Sequence, residues 1–127
     1  MLKTTLKKYE DHFYFIFRVL VGLLFFQHGA QKLFGWFGGQ SVNLVSMMGL
    51  AGIIEVTAGI LIAVGLFSRI IALIAGAEML VAYFMAHYPR NPIPILGGGE
   101  LPLLYFAAFL VIMTRGSRKF ALDNLFN

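Results

Sequence analysis

Residues 13–34 read FYFIFRVLVGLLFFQHGAQKLF. As a helix rising about 1.5 Å per residue, this run covers about 33 Å, enough to cross a hydrocarbon core of about 30 Å. It nevertheless carries Arg18, His28 and Lys32. An ionisable side chain in hydrocarbon needs a partner or a purpose, so the rest of the chain is searched for theirs. At about 100° per residue, Arg18, Gly22, Phe25, Gly29 and Lys32 share one stripe, with His28 at its edge and Gln27 opposite. The two glycines let a neighbouring backbone come close, so this stripe is expected to look into a bundle.

The composition agrees with a membrane setting. The chain has 127 residues, of which 59% are hydrophobic and 13% charged; soluble domains carry about 25% charged residues. At this length one domain, 1–127, is expected. There is no cysteine, which removes disulfides, thiolate metal sites and iron–sulfur clusters; no metal site is expected. The net charge is +4, but the basic residues sit at segment ends and form no stripe, so nucleic acid is not an expected partner. The start, MLKTTLKK before an apolar run, resembles a signal peptide. No small-x-small cleavage pattern closes it, and it reads as a retained signal-anchor.

Outward from the first run, residues 1–12 are polar and basic and suit a short interfacial helix. Gly35, Gly38 and Gly39 end the first span, with Trp36 as an interfacial anchor. A second span is expected over about 46–67, with Glu55 near its middle, and a third over about 69–88, with Glu78 inside it and His87 at its end. The turn between them is so short that they must form an antiparallel hairpin. Residues 89–99, PRNPIPILGGG, are too rich in proline and glycine for a helix. A last, short span covers about 100–115, and the tail SRKFALDNLF suits a short amphipathic surface helix. The fold class is therefore all-α, a transmembrane four-helix bundle. One side holds Lys3, Lys7, Lys8, Arg69, Arg115, Arg118 and Lys119, the other Lys32 and Arg90. The positive-inside rule then makes the N- and C-termini cytoplasmic. Gly59/Ala63, Ala72/Gly76 and Ala82/Ala86 allow close packing, within the bundle or in a homo-oligomer.

Depth suggests how the charges meet. Glu55 and Glu78 fall near the midplane of their spans, and Arg18 lies about 8 Å toward the cytoplasm, within reach of a midplane carboxylate. His28 lies a similar distance outward, and Lys32 can snorkel to the outer interface. Arg18 and Lys32 formally balance Glu55 and Glu78. Glu100, after the triple glycine, brings a carboxylate to the outer mouth, although by itself it suits a helix N-terminus. Two readings stay open. The ion pairs fix helix register and do nothing else, or they line a site for a small ligand or a proton. His28, a proton-transfer group beyond what charge balance needs, favours the second. The catalytic candidates are His28 and Glu55; the ligand-binding candidates are Arg18, Lys32, Glu78 and Glu100. The triple glycine is no phosphate loop, since no Gly-Lys-Ser/Thr follows it. His28 and His87 differ in estimated depth, and haem is not expected. Some of the thirteen phenylalanines suit the lining of a cavity for a flat aromatic such as a quinone.

These residues carry a family pattern: Arg18-Val-Leu-Val-Gly22, then FFQHGAQKLFG with His28, Gly29 and Lys32, Ile54-Glu55 with Gly59, and LIAVGLFSR over 61–69. His87, Gly98-Gly99-Glu100 with Leu104, and the tail Lys119-Phe120-Ala121-Leu122-Asp123 complete it. Together they resemble the DoxX family of small four-span membrane proteins, with Ala121 where serine is common. The resemblance implies a multi-pass protein of a prokaryotic cytoplasmic membrane, linked to quinone-coupled redox chemistry as an oxidoreductase or its membrane subunit. A quinone would enter from the lipid between helices, His28 and Glu55 would exchange protons, and a soluble or membrane redox partner would supply electrons. A non-enzymatic scaffold or assembly subunit, or a small proton-coupled transporter, are the competing functions.

Overall fold

The computed structural model describes residues 1–126, which are 75% helical and contain no strand. The helices are α1 (Leu2–Lys8), α2 (Glu10–Phe34), α3 (Met47–Val64), α4 (Ser68–Ala82), α5 (Pro94–Gly97) and α6 (Glu100–Arg115). A π-helical turn, Tyr83–His87, continues α4. Three helices are long and apolar enough to cross a membrane: Glu10–Phe34, Met47–Val64 and Ser68–His87. α6 has 16 residues, about 24 Å at 1.5 Å per residue. α2 stops at Gly35 and α3 at Gly65, both with positive φ, the left-handed cap that glycine adopts without strain. Ser46 starts α3 by accepting the Gly49 N–H on its hydroxyl at 3.0 Å, the usual N-cap bond.

α2 lies against α3, α3 turns back into α4, and α4 lies against α6. Glycines set the α2/α3 approach: a Cβ on Gly22 would come within 2.6 Å of Ala63 N and Gly59 O, and one on Gly29 within 2.5 Å of Val56 N. Contacts that tight exclude any side chain. The stripe expected on α2 does face inward, with Arg18, Gly22, Phe25 and Gly29 buried and Gln27 exposed. The centre is filled by Phe25, Ile62, Ala72, Ala75, Phe109 and Ile112, all fully buried.

Two expectations about the end that holds the chain termini do not stand. The tail is no surface helix: Arg118 and Phe120 take positive φ, and only Leu122–Leu125 form a helical turn. It folds over the α3–α4 turn. Asp123 donates its N–H to Gly65 O at 3.0 Å and accepts the Phe67 N–H at 2.9 Å. Ser117 Oγ lies 2.6 Å from both Ser68 Oγ and Asp123 Oδ2. Nor does Arg18 reach a midplane carboxylate. Its guanidinium, fully buried, donates to the carbonyls of Ile62 (3.0 Å), Ala63 (3.3 Å), Ser117 (2.6 Å), Lys119 (3.3 Å) and Phe120 (3.0 Å). Register explains the difference. The glycine contacts pair Gly22 with Ala63 and Gly29 with Val56, so Glu55 is level with the His28 turn, about 15 Å along α2 from Arg18. What Arg18 meets is the C-terminal end of α3, where carbonyls lack helical partners and the helix dipole favours a cation.

Candidate functional site

The remaining ionisable residues gather at the opposite end of α2. There a cavity of about 260 Å³ opens between α2, α3, the α4 π-turn, the 98 region and α6. His28 and Lys32 enter it from α2 and Glu55 from α3; Tyr105 enters from α6 and His87 from the π-turn. Lys32 Nζ lies 2.6 and 2.7 Å from the two Glu55 oxygens, a bidentate ion pair. Glu55 is fully buried and Lys32 partly exposed, as expected of a lysine that threads its stem along apolar surface and pairs at its tip. Gly52 makes room for it, since a Cβ there would sit 3.2 Å from Lys32 Cβ and 2.9 Å from Leu33 Cδ2.

Glu78, on α4, lies near the same carboxylate. Its Oε1 is buried with no hydrogen-bond partner among the described residues. Lys32, Glu55 and Glu78, from three helices, thus lie close together. An incomplete buried network of this kind is costly unless a proton or ligand completes it.

His28 and Tyr105 meet edge-to-face, ring centroids 5.7 Å apart. Neither the imidazole nor the phenol finds a hydrogen-bond partner among the described residues. His87 is held from the far side, Nδ1 lying 3.2 Å from Gly97 O. The π-turn, closed by Tyr88 N–H to Tyr83 O at 2.8 Å, brings Tyr83 and His87 to the 89–99 loop. Tyr83 Oη donates to Pro92 O at 2.8 Å. A Cβ on Gly99 would strike the Tyr83 ring at 2.6 Å, and one on Gly97 would strike Asn91 O at 2.6 Å. The glycines therefore serve close packing of the loop over the cavity mouth; π-turns of this kind often occur at functional sites.

Of the sequence candidates, His28, Lys32 and Glu55 line the cavity and Glu78 lies near Glu55 outside its lining. Arg18 and Glu100 do not join them. Arg18 is engaged at the other end of the bundle, and the exposed Glu100 begins α6, where a carboxylate suits the helix dipole. Tyr105 was not anticipated. Its signal was present: Tyr105, Phe109 and Ile112 form the buried stripe of α6, and Tyr105 alone of these carries a polar tip. His87, weighed in the sequence only as a haem ligand and as part of the family pattern, lines the cavity from the π-turn.

A family model for DoxX matches residues 13–88. The chain belongs to the DoxX family. The matched region runs from within α2 through the π-turn and includes every cavity charge. Among relatives, an uncharacterised protein of Haemophilus influenzae is 38% identical over 128 residues, covering 95% of this chain and 96% of its own. A Bacillus subtilis protein named CatD, described as a candidate oxidoreductase, is 30% identical over 115 residues, covering 85% of this chain and 82% of its own. No solved structure gives a significant match. This DoxX chain is accordingly a multi-pass membrane protein.

Proposed function

We propose that this DoxX protein is a quinone-linked membrane oxidoreductase, or the membrane subunit of one, whose site is the cavity at His28, Lys32, Glu55 and Tyr105. One observation carries the reading. An ion pair that would satisfy itself is flanked by an imidazole, a phenol and a carboxyl oxygen that have no hydrogen-bond partner among the described residues. Charges that only fixed helix register would not need those uncommitted groups, and this separates the reading from a purely scaffolding role. The relative named as a candidate oxidoreductase supports the same direction.

In this reading a flat ring enters the cavity, and Tyr105 and His28 hydrogen-bond its carbonyl oxygens. Reduction of a quinone to a quinol takes two electrons and two protons. The chain holds no cysteine and offers no thiol redox chemistry, so the electrons come from a reduced substrate or from a soluble or membrane redox partner. The chain's own contribution is protonic. His28 delivers one proton and Glu55 the other.

The same reading places the protein in a prokaryotic cytoplasmic membrane. α6 acts as a fourth, short crossing completed by the 89–99 loop, and the clasped end with both termini faces the cytoplasm, where its cluster of lysines and arginines belongs. The test is saturable binding of a tail-less ring, 2,3-dimethoxy-5-methyl-1,4-benzoquinone, to the purified protein, read by quenching of its single tryptophan, Trp36. Binding that weakens in His28→Ala and Glu55→Gln is expected. Absence of saturable binding, or binding indifferent to both substitutions, would sink the reading.

A further inference from the structure

At the clasped end of the bundle, α1 stands apart from the core. None of its residues is buried, and Leu2 and Leu6 are 72% and 47% exposed. At about 100° per residue, Leu2 and Leu6 share one side with Thr5 and with Tyr9 at the C-cap, while Lys3, Lys7 and Lys8 occupy the opposite side. Tyr9 leaves helical geometry, with φ −105° and ψ 15°, so α1 is a separate helix and not the first turns of the span. Residues 1–9 contain no acidic residue, and no carboxylate among the described residues forms an ion pair with the three lysines. Asp11, just inside α2, is taken by the tail: Arg118 Nη2 lies 2.9 Å and Lys119 Nζ 3.4 Å from its oxygens. One side of α1 is thus apolar without a protein partner, and the other is cationic without a counter-charge.

We infer that α1 docks on an anionic bilayer surface, with Leu2 and Leu6 set among the acyl chains and Lys3, Lys7 and Lys8 on headgroups of net negative charge. The two faces together choose this occupant. An acidic soluble protein would meet the lysines and leave the leucines in water. A neutral bilayer would take the leucines and leave the lysines without a counter-charge. Amphipathic helices with lysines on one face and leucines on the other satisfy both at an anionic interface. Charge supplies most of the hold. α1 has seven residues, too few to keep a helix in water unaided, and two leucines bury little area. A lysine near an anionic surface strengthens binding about fivefold, and the effect fades within a Debye length. The positive-inside rule fixes which way the chain is inserted; lipid charge then fixes whether α1 lies down on the membrane.

The experiment uses the full chain in nanodiscs of phosphatidylcholine alone, or of equal parts phosphatidylcholine and phosphatidylglycerol. Backbone hydrogen exchange is read over residues 2–9, with residues 20–30 of α2 as the internal reference. Protection of α1 is expected to rise about tenfold or more in the anionic discs, and to fall back as salt screens the surface. Each of Lys3→Gln, Lys7→Gln and Lys8→Gln, which keep helix propensity, should lower that protection about fivefold. Leu6→Ser, with every lysine in place, should also lose it. Equal protection in the two kinds of disc overturns the inference. So does a gain that survives removal of all three lysines, since the apolar face alone would then hold α1. Protection that persists in Leu6→Ser means the lysines bind without insertion, which overturns the bilayer as occupant. Inorganic phosphate that protects α1 equally in neutral discs gives the face to a small soluble anion and overturns it as well.

Discussion

Replacing Arg18 with methionine keeps its length and removes its charge and donors. Three of its hydrogen bonds, one short at 2.6 Å and two at 3.0 Å, are close, and two at 3.3 Å are weaker. Bonds to a charged group contribute about 1.5–3 kcal/mol each, but a released tail rehydrates its carbonyls at the interface, so the full sum is not lost. The expected cost is about 3–5 kcal/mol, the range for deleting one partner of a buried charged interaction. The change should be local first. The amides of Asp123 and Phe67, which pin the tail to the α3–α4 turn, should lose protection in hydrogen exchange before the α2/α3 amides do. A second substitution separates this from pairing with a midplane carboxylate. Glu55→Gln should not relieve Arg18→Met; the two costs should add within about 0.5 kcal/mol, as for distant sites. A thermal midpoint and tail protection equal to wild type, or rescue by Glu55→Gln, would refute the clasp.

Lys32→Met strands a buried carboxylate and should cost about 3–5 kcal/mol in detergent unfolding, while Lys32→Met with Glu55→Leu should recover most of that yet bind no quinone ring. Gly22→Ala, which places a Cβ 2.6 Å from two backbone atoms of α3, should separate α2 from α3 and abolish a folded monodisperse product; Gly76→Ala, whose nearest neighbour is at 3.5 Å, should be tolerated in the same size-exclusion assay. Tyr105→Phe removes an uncommitted hydroxyl, so the melting temperature should hold while ring affinity falls by about fivefold or more, the worth of about one hydrogen bond. Equal affinity would take Tyr105 out of the site.

The helices were legible because hydropathy, Gly35 and Gly65 punctuate the chain unambiguously. Lys32 and Glu55 were legible because an isolated charge in an apolar helix needs an opposite one. Arg18 was misread for an instructive reason: charge counting looks for carboxylates, whereas its partners are backbone carbonyls, which every residue carries and no sequence advertises. Midplane estimates also treat helices as level, while the true register was written in Gly22, Gly29, Gly52 and Gly59, whose contacts only coordinates disclose. Glu100 went astray because a carboxylate at a helix start and one at a site mouth look alike in sequence. Tyr105 was overlooked among many aromatics, as its distinction is one oxygen atom.

The clasp also orders events in time. Of the five carbonyls that Arg18 gathers, three belong to Ser117, Lys119 and Phe120, which leave the ribosome about a hundred residues after it does. Until they arrive, the first apolar helix carries a guanidinium with only Ile62 and Ala63 to receive it. A chain cut before Ser117 stays in that condition. The cation of the first helix is thus fully received only once the tail has folded back over the α3–α4 turn.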